Sequence, residues 1–289
     1  MRFATVKSLV ATAVLEWIDD RATSRGAAIA FYTAFSMAPL LLLVIALAGL
    51  FFGQEAAQGA VLNEFRGMMG DDAALALERM ISSANQPGKG IAATAISAVL
   101  LVIGATSVFA ELQDSLNQIW KAPPLKVSTA WSWFRVRVLS LSLVGATGFL
   151  LGVSLILSTA LTAIGGWITN GLPQVAIVLE GVNLVVSIGL TVVFFAAIYK
   201  ILPDVPLRWP DVWLGAAVTA VLFHVGKYAI SIYVTASDLT SSFGAAGALI
   251  VILVWVFYST QIFLLGAEFT KVYARHHEPR SPVGRRKKV

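Results

Sequence analysis

The stretch from Phe31 to Phe52 reads FYTAFSMAPLLLLVIALAGLFF and carries no charge. The uncharged run around it extends from Gly26 to Gln54. About 20 residues at ~1.5 Å rise span ~30 Å of hydrocarbon, so this run is long enough to cross a bilayer as one helix. Pro39 removes a backbone donor inside it and frees a carbonyl, which membrane helices tolerate when a neighbour satisfies that carbonyl. Thr33, Ser36 and Pro39 interrupt the apolar run. Ser36 and Pro39 therefore read either as a plain kink or as a gating hinge.

Further uncharged runs follow along the chain. Together they predict an all-α, polytopic membrane protein with six transmembrane helices, at about 27–52, 90–110, 139–163, 177–199, 211–236 and 244–266. The third run is too long for one crossing and is divided by Gly165, Gly166, Asn170, Gly171 and Pro173, a turn-forming set. The whole chain, 1–289, reads as a single integral membrane domain. Composition agrees: 57 % of residues are hydrophobic and 13 % charged, with mean hydropathy +0.79. A soluble domain carries about 25 % charged residues, so a soluble fold is excluded. The absence of cysteine excludes disulfides, thiolate metal sites and a thiol nucleophile.

The distribution of Lys and Arg sets the orientation. Seventeen lie in the N-terminal segment, the loops after helices 2 and 4, and the tail, against three (Arg66, Arg79, Lys89) on the other side. This positive-inside bias places both termini in the cytoplasm. Trp131, Trp133, Trp209 and Trp213 fall on that same side, as an aromatic belt would. The first apolar run is too long for a signal h-region and follows Glu16, Asp19 and Asp20, so helix 1 is expected to remain in the mature protein.

Residues 53–89 form an extracytoplasmic, amphipathic cap with two helical periodicities. One comprises Val61, Leu62, Phe65, Met68 and Met69; the other comprises Ala74, Leu77, Met80 and Ile81 after Asp71-Asp72. It reads as a cap packed on the bundle or, more boldly, as a substrate lid. The basic cytoplasmic tail, 271–289, ends in Arg285-Arg286-Lys287-Lys288 and suits the anionic headgroups of membrane lipids better than nucleic acid. Glu268 and Lys271, three residues apart at the end of helix 6, read as a solvated surface pair.

An ionisable group at membrane depth costs ~2.5–3.5 kcal/mol on insertion scales, which makes Lys227 in helix 5 the most informative residue. It lies roughly 14 Å from one end of its helix and roughly 24 Å from the other. Snorkelling to either interface is awkward, so Lys227 should face protein or water. His224, Ser231 and Thr235 share its face; on helix 4, Glu180, Asn183, Ser187 and Thr191 form a second polar stripe. If the stripes line one cavity, a positive group at its floor favours an anionic substrate. The bland alternative is a structural Lys227–Glu180 contact. The small residues Gly26, Ala30, Ala34 and Ala38, Gly148 and Gly152, and Gly244, Gly247 and Ala248 are helix-packing signals.

No Walker loop, His-Glu-x-x-His or Gly-x-Ser-x-Gly occurs, and two of the three histidines, His276 and His277, lie in the tail. No cofactor, no metal and no enzymatic activity are therefore expected.

Several segments carry a resemblance. They are Arg25-Gly26 through Tyr32, Ser36 and Pro39-Leu40; Leu112-Gln-Asp-Ser-Leu-Asn117-Gln-Ile-Trp120; Tyr199-Lys-Ile-Leu-Pro203; and Trp209-Pro-Asp-Val-Trp-Leu-Gly215-Ala. The last runs from Phe243-Gly244-Ala-Ala-Gly247 to Leu265-Gly266-Ala267-Glu268. The chain resembles the YihY/BrkB family of bacterial inner-membrane proteins, which usually shows Tyr where Phe243 stands. The resemblance implies a six-helix protein linked to serum resistance, envelope biogenesis and lipid or solute export, with no catalytic residues to carry over. An older description of such proteins as tRNA-processing ribonucleases disagrees with the scattered carboxylates here, since a nuclease needs them clustered around metal. The expectation is a transporter or envelope-lipid-handling protein for an anionic lipid or solute. The alternative is a structural or scaffolding membrane protein with envelope protein partners or a second copy of itself.

Overall fold

The computed structural model of the chain describes residues 3–84, 107–123, 138, 142, 153, 174–237 and 245–277. The described residues form helices and no strands: α1 (Phe3–Asp19), α2 (Ala22–Phe52), α3 (Gln54–Met69), α4 (Asp71–Ala84), α5 (107–119), α6 (Gln174–Ile201), α7 (Trp209–Ser237) and α8 (Ala245–His277). Three stretches are long and apolar enough to cross a membrane: Gly181–Ile201, Trp209–Ile230 and Gly247–His276. A fourth is the bent helix α2 if its two arms count as one crossing. The expected spans at 90–110 and 139–163 lie almost wholly outside the described residues.

Helix α2 bends by 63° between its arms Ala22–Met37 and Leu40–Phe52. Two local causes meet at the break. Pro39 cannot donate to the carbonyl four residues back. Ser36, buried, donates its hydroxyl to the Tyr32 carbonyl at 2.8 Å, a back-bond that also bends helices. At the far end the chain reverses at Gly53, whose φ of 87° is costly for any side chain-bearing residue, and a second reversal at Gly70 (φ 85°) separates α3 from α4.

Helix α8 is the axis of the bundle. It packs against α1, α2, α4 and α7, while α6 packs on α7. Helices α3 and α4 fold back onto α2 rather than projecting away from it. Their apolar faces (Ala57, Val61, Leu77, Ile81) join Val44, Ile45 and Ala48 of α2 and Val251 and Ile252 of α8 in one core. A second core, toward the other end, joins Leu116 and Ile119 of α5 to Phe195 and Tyr199 of α6, Val212 and Ala216 of α7, and Leu264 of α8.

The α7–α8 crossing is close because small residues face hydroxyls. A side chain at Gly266 would strike Thr219 and the Tyr199 hydroxyl, and one at Gly215 would strike Thr270. Tyr199, fully buried, donates to the Phe263 carbonyl at 2.7 Å and lies 3.0 Å from the Thr219 hydroxyl.

Candidate functional site

The ammonium of Lys227 on α7 is held by a carboxylate from α3: its Nζ lies 2.9 Å from Oε1 of Glu64. The two side chains are 27 % and 46 % exposed. The side chain of Glu180, the partner expected from the sequence, lies outside the described residues. Beside Lys227, the Nδ1 of His224 lies 2.9 Å from the Ala220 carbonyl, so a proton there would be donated back into the helix. On α6, Thr191 donates to the Ser187 carbonyl at 2.8 Å, and Asn183 is exposed. The Thr191 hydroxyl thus spends its donor on its own helix, and the His224 ring lies against a carbonyl of its own. The side chains of Ser231 and Thr235 lie outside the described residues.

At the opposite end of α8 lies a denser ionic site. Lys271 is 1 % exposed and Glu268 is sealed, so the expected solvated pair is in fact buried. Its physical reason is α1, which covers the end of α8 and brings two more carboxylates: Glu16 Oε2 lies 2.5 Å, and Asp20 Oδ2 3.5 Å, from Lys271 Nζ. Arg275 reaches Glu16 at 3.2 Å on the outer edge. Helix α8 continues as helix to His277, so the first part of the basic tail, 271–277, is ordered. Among the described residues no group of three or more His, Cys, Asp or Glu could hold a metal ion.

A family model described as virulence factor BrkB matches residues 13–289. The chain belongs to this family. Curated relatives bear the name UPF0761 membrane protein. One from Vibrio vulnificus is 24 % identical over 87 % of this chain and 77 % of its own length; one from Aeromonas salmonicida is 24 % identical over 90 % and 87 %. One from Tolumonas auensis is 26 % identical over 68 % of this chain, and the match covers 63 % of that relative. No solved structure matches. With several apolar helices and relatives named as membrane proteins, this BrkB-family chain is a multi-pass membrane protein.

Several BrkB-like segments that stand apart in the sequence are joined by side-chain hydrogen bonds, and the chain of bonds reaches Asp20 beside the buried lysine. Arg25, at the start of α2, pairs with Glu111 at 3.6 Å and donates to the Gln118 side chain, both on α5. Gln118 in turn donates to the Asp20 carbonyl at 3.4 Å. Asn117 and Asp204 form a reciprocal pair: the Asn117 amide donates to the Asp204 carboxylate, and the Asp204 backbone N–H donates to Asn117, both at 2.8 Å. Gln113 adds a third bond to Asp204 at 3.1 Å. Among the described residues, the buried hydroxyl of Ser115 and the buried indole N–H groups of Trp17 and Trp120 find no partner. This network ties α1, α2, α5, α8 and the loop after α6 together at one end. Sequence reading singled out Arg25 and Asn117 as marks of resemblance and read Glu268 as half of a solvated pair; nothing in the linear order announces the bonds they make.

Proposed function

We propose that this BrkB-family protein is a six-span transporter of the bacterial inner membrane that moves an anionic lipid or solute. Both of its termini lie in the cytoplasm and it performs no enzymatic chemistry. The observation that supports this reading is the Lys227–Glu64 pair. A lysine in an apolar helix needs a counter-charge, and α3 of the 53–89 segment supplies one in Glu64. Both side chains are partly exposed, so the pair is no sealed interior contact. A phosphate or carboxylate headgroup can replace Glu64 at small cost, and replacing it releases α3 from α7. Substrate binding and movement of the cap become one event.

The test is flux through purified protein in liposomes, read with fluorescent phosphatidylglycerol and, separately, phosphatidylcholine. The wild-type chain should speed translocation of the anionic lipid above empty liposomes, and Lys227→Met should abolish that while keeping a monodisperse, folded protein. Wild-type protein inert towards both lipids and towards anionic solutes would leave the scaffolding role in its place.

A further inference from the structure

Helix α1 has three distinct sides. With ~100° between successive residues, Leu9, Ala13 and Trp17 fall on one side. Leu9 and Ala13 are buried and pack with Val272 of α8. Ser8, Thr12 and Asp19 fall on a second side and are exposed. Val10, Val14, Leu15 and Ile18 fall on a third side, within about 140° of arc, and are 38–62 % exposed. Isolated exposed aliphatic residues are ordinary; four on one side of a 17-residue helix form a face that wants covering.

We infer that α1 is an interfacial helix whose Val10, Val14, Leu15 and Ile18 face is seated in the acyl-chain boundary of an anionic lipid leaflet. Three observations select lipid as the occupant. First, α1 lies along the part of α8 that contains Val272, inside the apolar stretch Gly247–His276, so the helix sits at a membrane boundary and not far out in water. Second, α1 leads into α2 through Asp20 and Arg21 alone, with Arg21 in the left-handed conformation (φ 52°), so it cannot lie far from where α2 enters the bilayer. Third, the charges are sorted. Glu16 and Asp20 turn inward to Lys271, whereas Lys7, on the apolar side, and Arg21, at the end of the helix, are exposed. The helix hides two of its acids and offers its bases outward, the complement of an anionic headgroup layer. A second copy of the chain would have to bring Lys7 against Lys7 across a two-fold axis through this face, which like charges oppose.

The chain has no cysteine, so single cysteines can be placed without background. The full-length protein carrying Val14→Cys, Ile18→Cys, Thr12→Cys or Asp19→Cys is labelled with a nitroxide and placed in nanodiscs, of phosphatidylglycerol with phosphatidylcholine or of phosphatidylcholine alone. Collision with oxygen, which concentrates in lipid, is compared with collision with a water-soluble nickel chelate. Positions 14 and 18 should favour oxygen, and positions 12 and 19 the chelate. Adding Lys7→Gln should reduce the immersion of position 14 in the phosphatidylglycerol discs and leave it unchanged in the others. Chelate-dominated signals at 14 and 18 would overturn the seat in lipid, and so would exclusion of both reagents, the mark of a protein contact. Equal immersion in both compositions, insensitive to Lys7→Gln, would overturn the anionic preference.

Discussion

The Nζ of Lys271 lies 2.5 Å from Oε2 of Glu268, one turn back along α8, and neither side chain reaches solvent. Removing the ammonium strands a buried carboxylate, which costs ~3–5 kcal/mol. Lys271→Met should therefore lower stability by about that amount, measured by denaturant unfolding in detergent followed by circular dichroism. Adding Glu268→Gln should recover part of the loss. A single variant as stable as the wild type would show that the pair contributes nothing.

The glycine at 266 is expected to tolerate no enlargement. A methyl there would stand 2.6 Å from the Tyr199 hydroxyl, which is held by the Phe263 carbonyl and backed by Thr219. Gly266→Ala should cost ~1–3 kcal/mol through overpacking. Gly189→Ala meets nothing within 4 Å and should instead gain about 0.5–1 kcal/mol from helix propensity. Paired thermal-unfolding curves separate the two.

Breaking the Glu64–Lys227 pair should move stability less than breaking the sealed Lys271–Glu268 pair, because both groups are partly exposed. Its effect belongs to motion. Joining one cysteine introduced on α3 to one introduced on α7 with a bifunctional thiol reagent, Glu64 and Lys227 both kept, should stop the lipid flux. Flux that persists at full cross-linking would show that α3 need not leave α7.

Pro39→Ala restores a backbone donor at the break in α2. With nitroxides at the exposed positions Ser24 and Leu50, the spin–spin distance should lengthen in this variant as the 63° bend relaxes. An unchanged distance would assign the bend to packing rather than to proline.

Asn117→Ala removes both halves of the Asn117–Asp204 exchange and leaves a carboxylate short of one donor. Bonds to a charged group contribute ~1.5–3 kcal/mol each. Hydrogen exchange in 107–123 should rise, with little change in α3 or α4.

Much of the helical architecture is legible along the chain because its signals are local. Runs such as Phe31–Phe52 exceed what a soluble helix would bury, and Gly53 and Gly70 mark the breaks that follow. The sequence also tells that Lys227 needs a partner, but that Glu64 comes to meet it depends on how α3 folds back, and Glu64 is 163 residues away. The buried site was hidden for a sharper reason. Glu268 and Lys271 at a spacing of three look like any surface pair. Only α1 converts them into an interior pair, and its Glu16, Asp19 and Asp20 look like solvent-facing residues. The two halves of that site stand 251 residues apart.

That separation orders events during synthesis. Glu16 and Asp20 leave the ribosome before α2, and the ammonium that neutralises them is translated only near the far end of α8. The corner they form can close only once nearly all other helices have been threaded into the bilayer. A nascent chain halted short of position 271 keeps two bare acids where the finished protein has a dry, neutralised joint, so closing that joint marks completion of the fold.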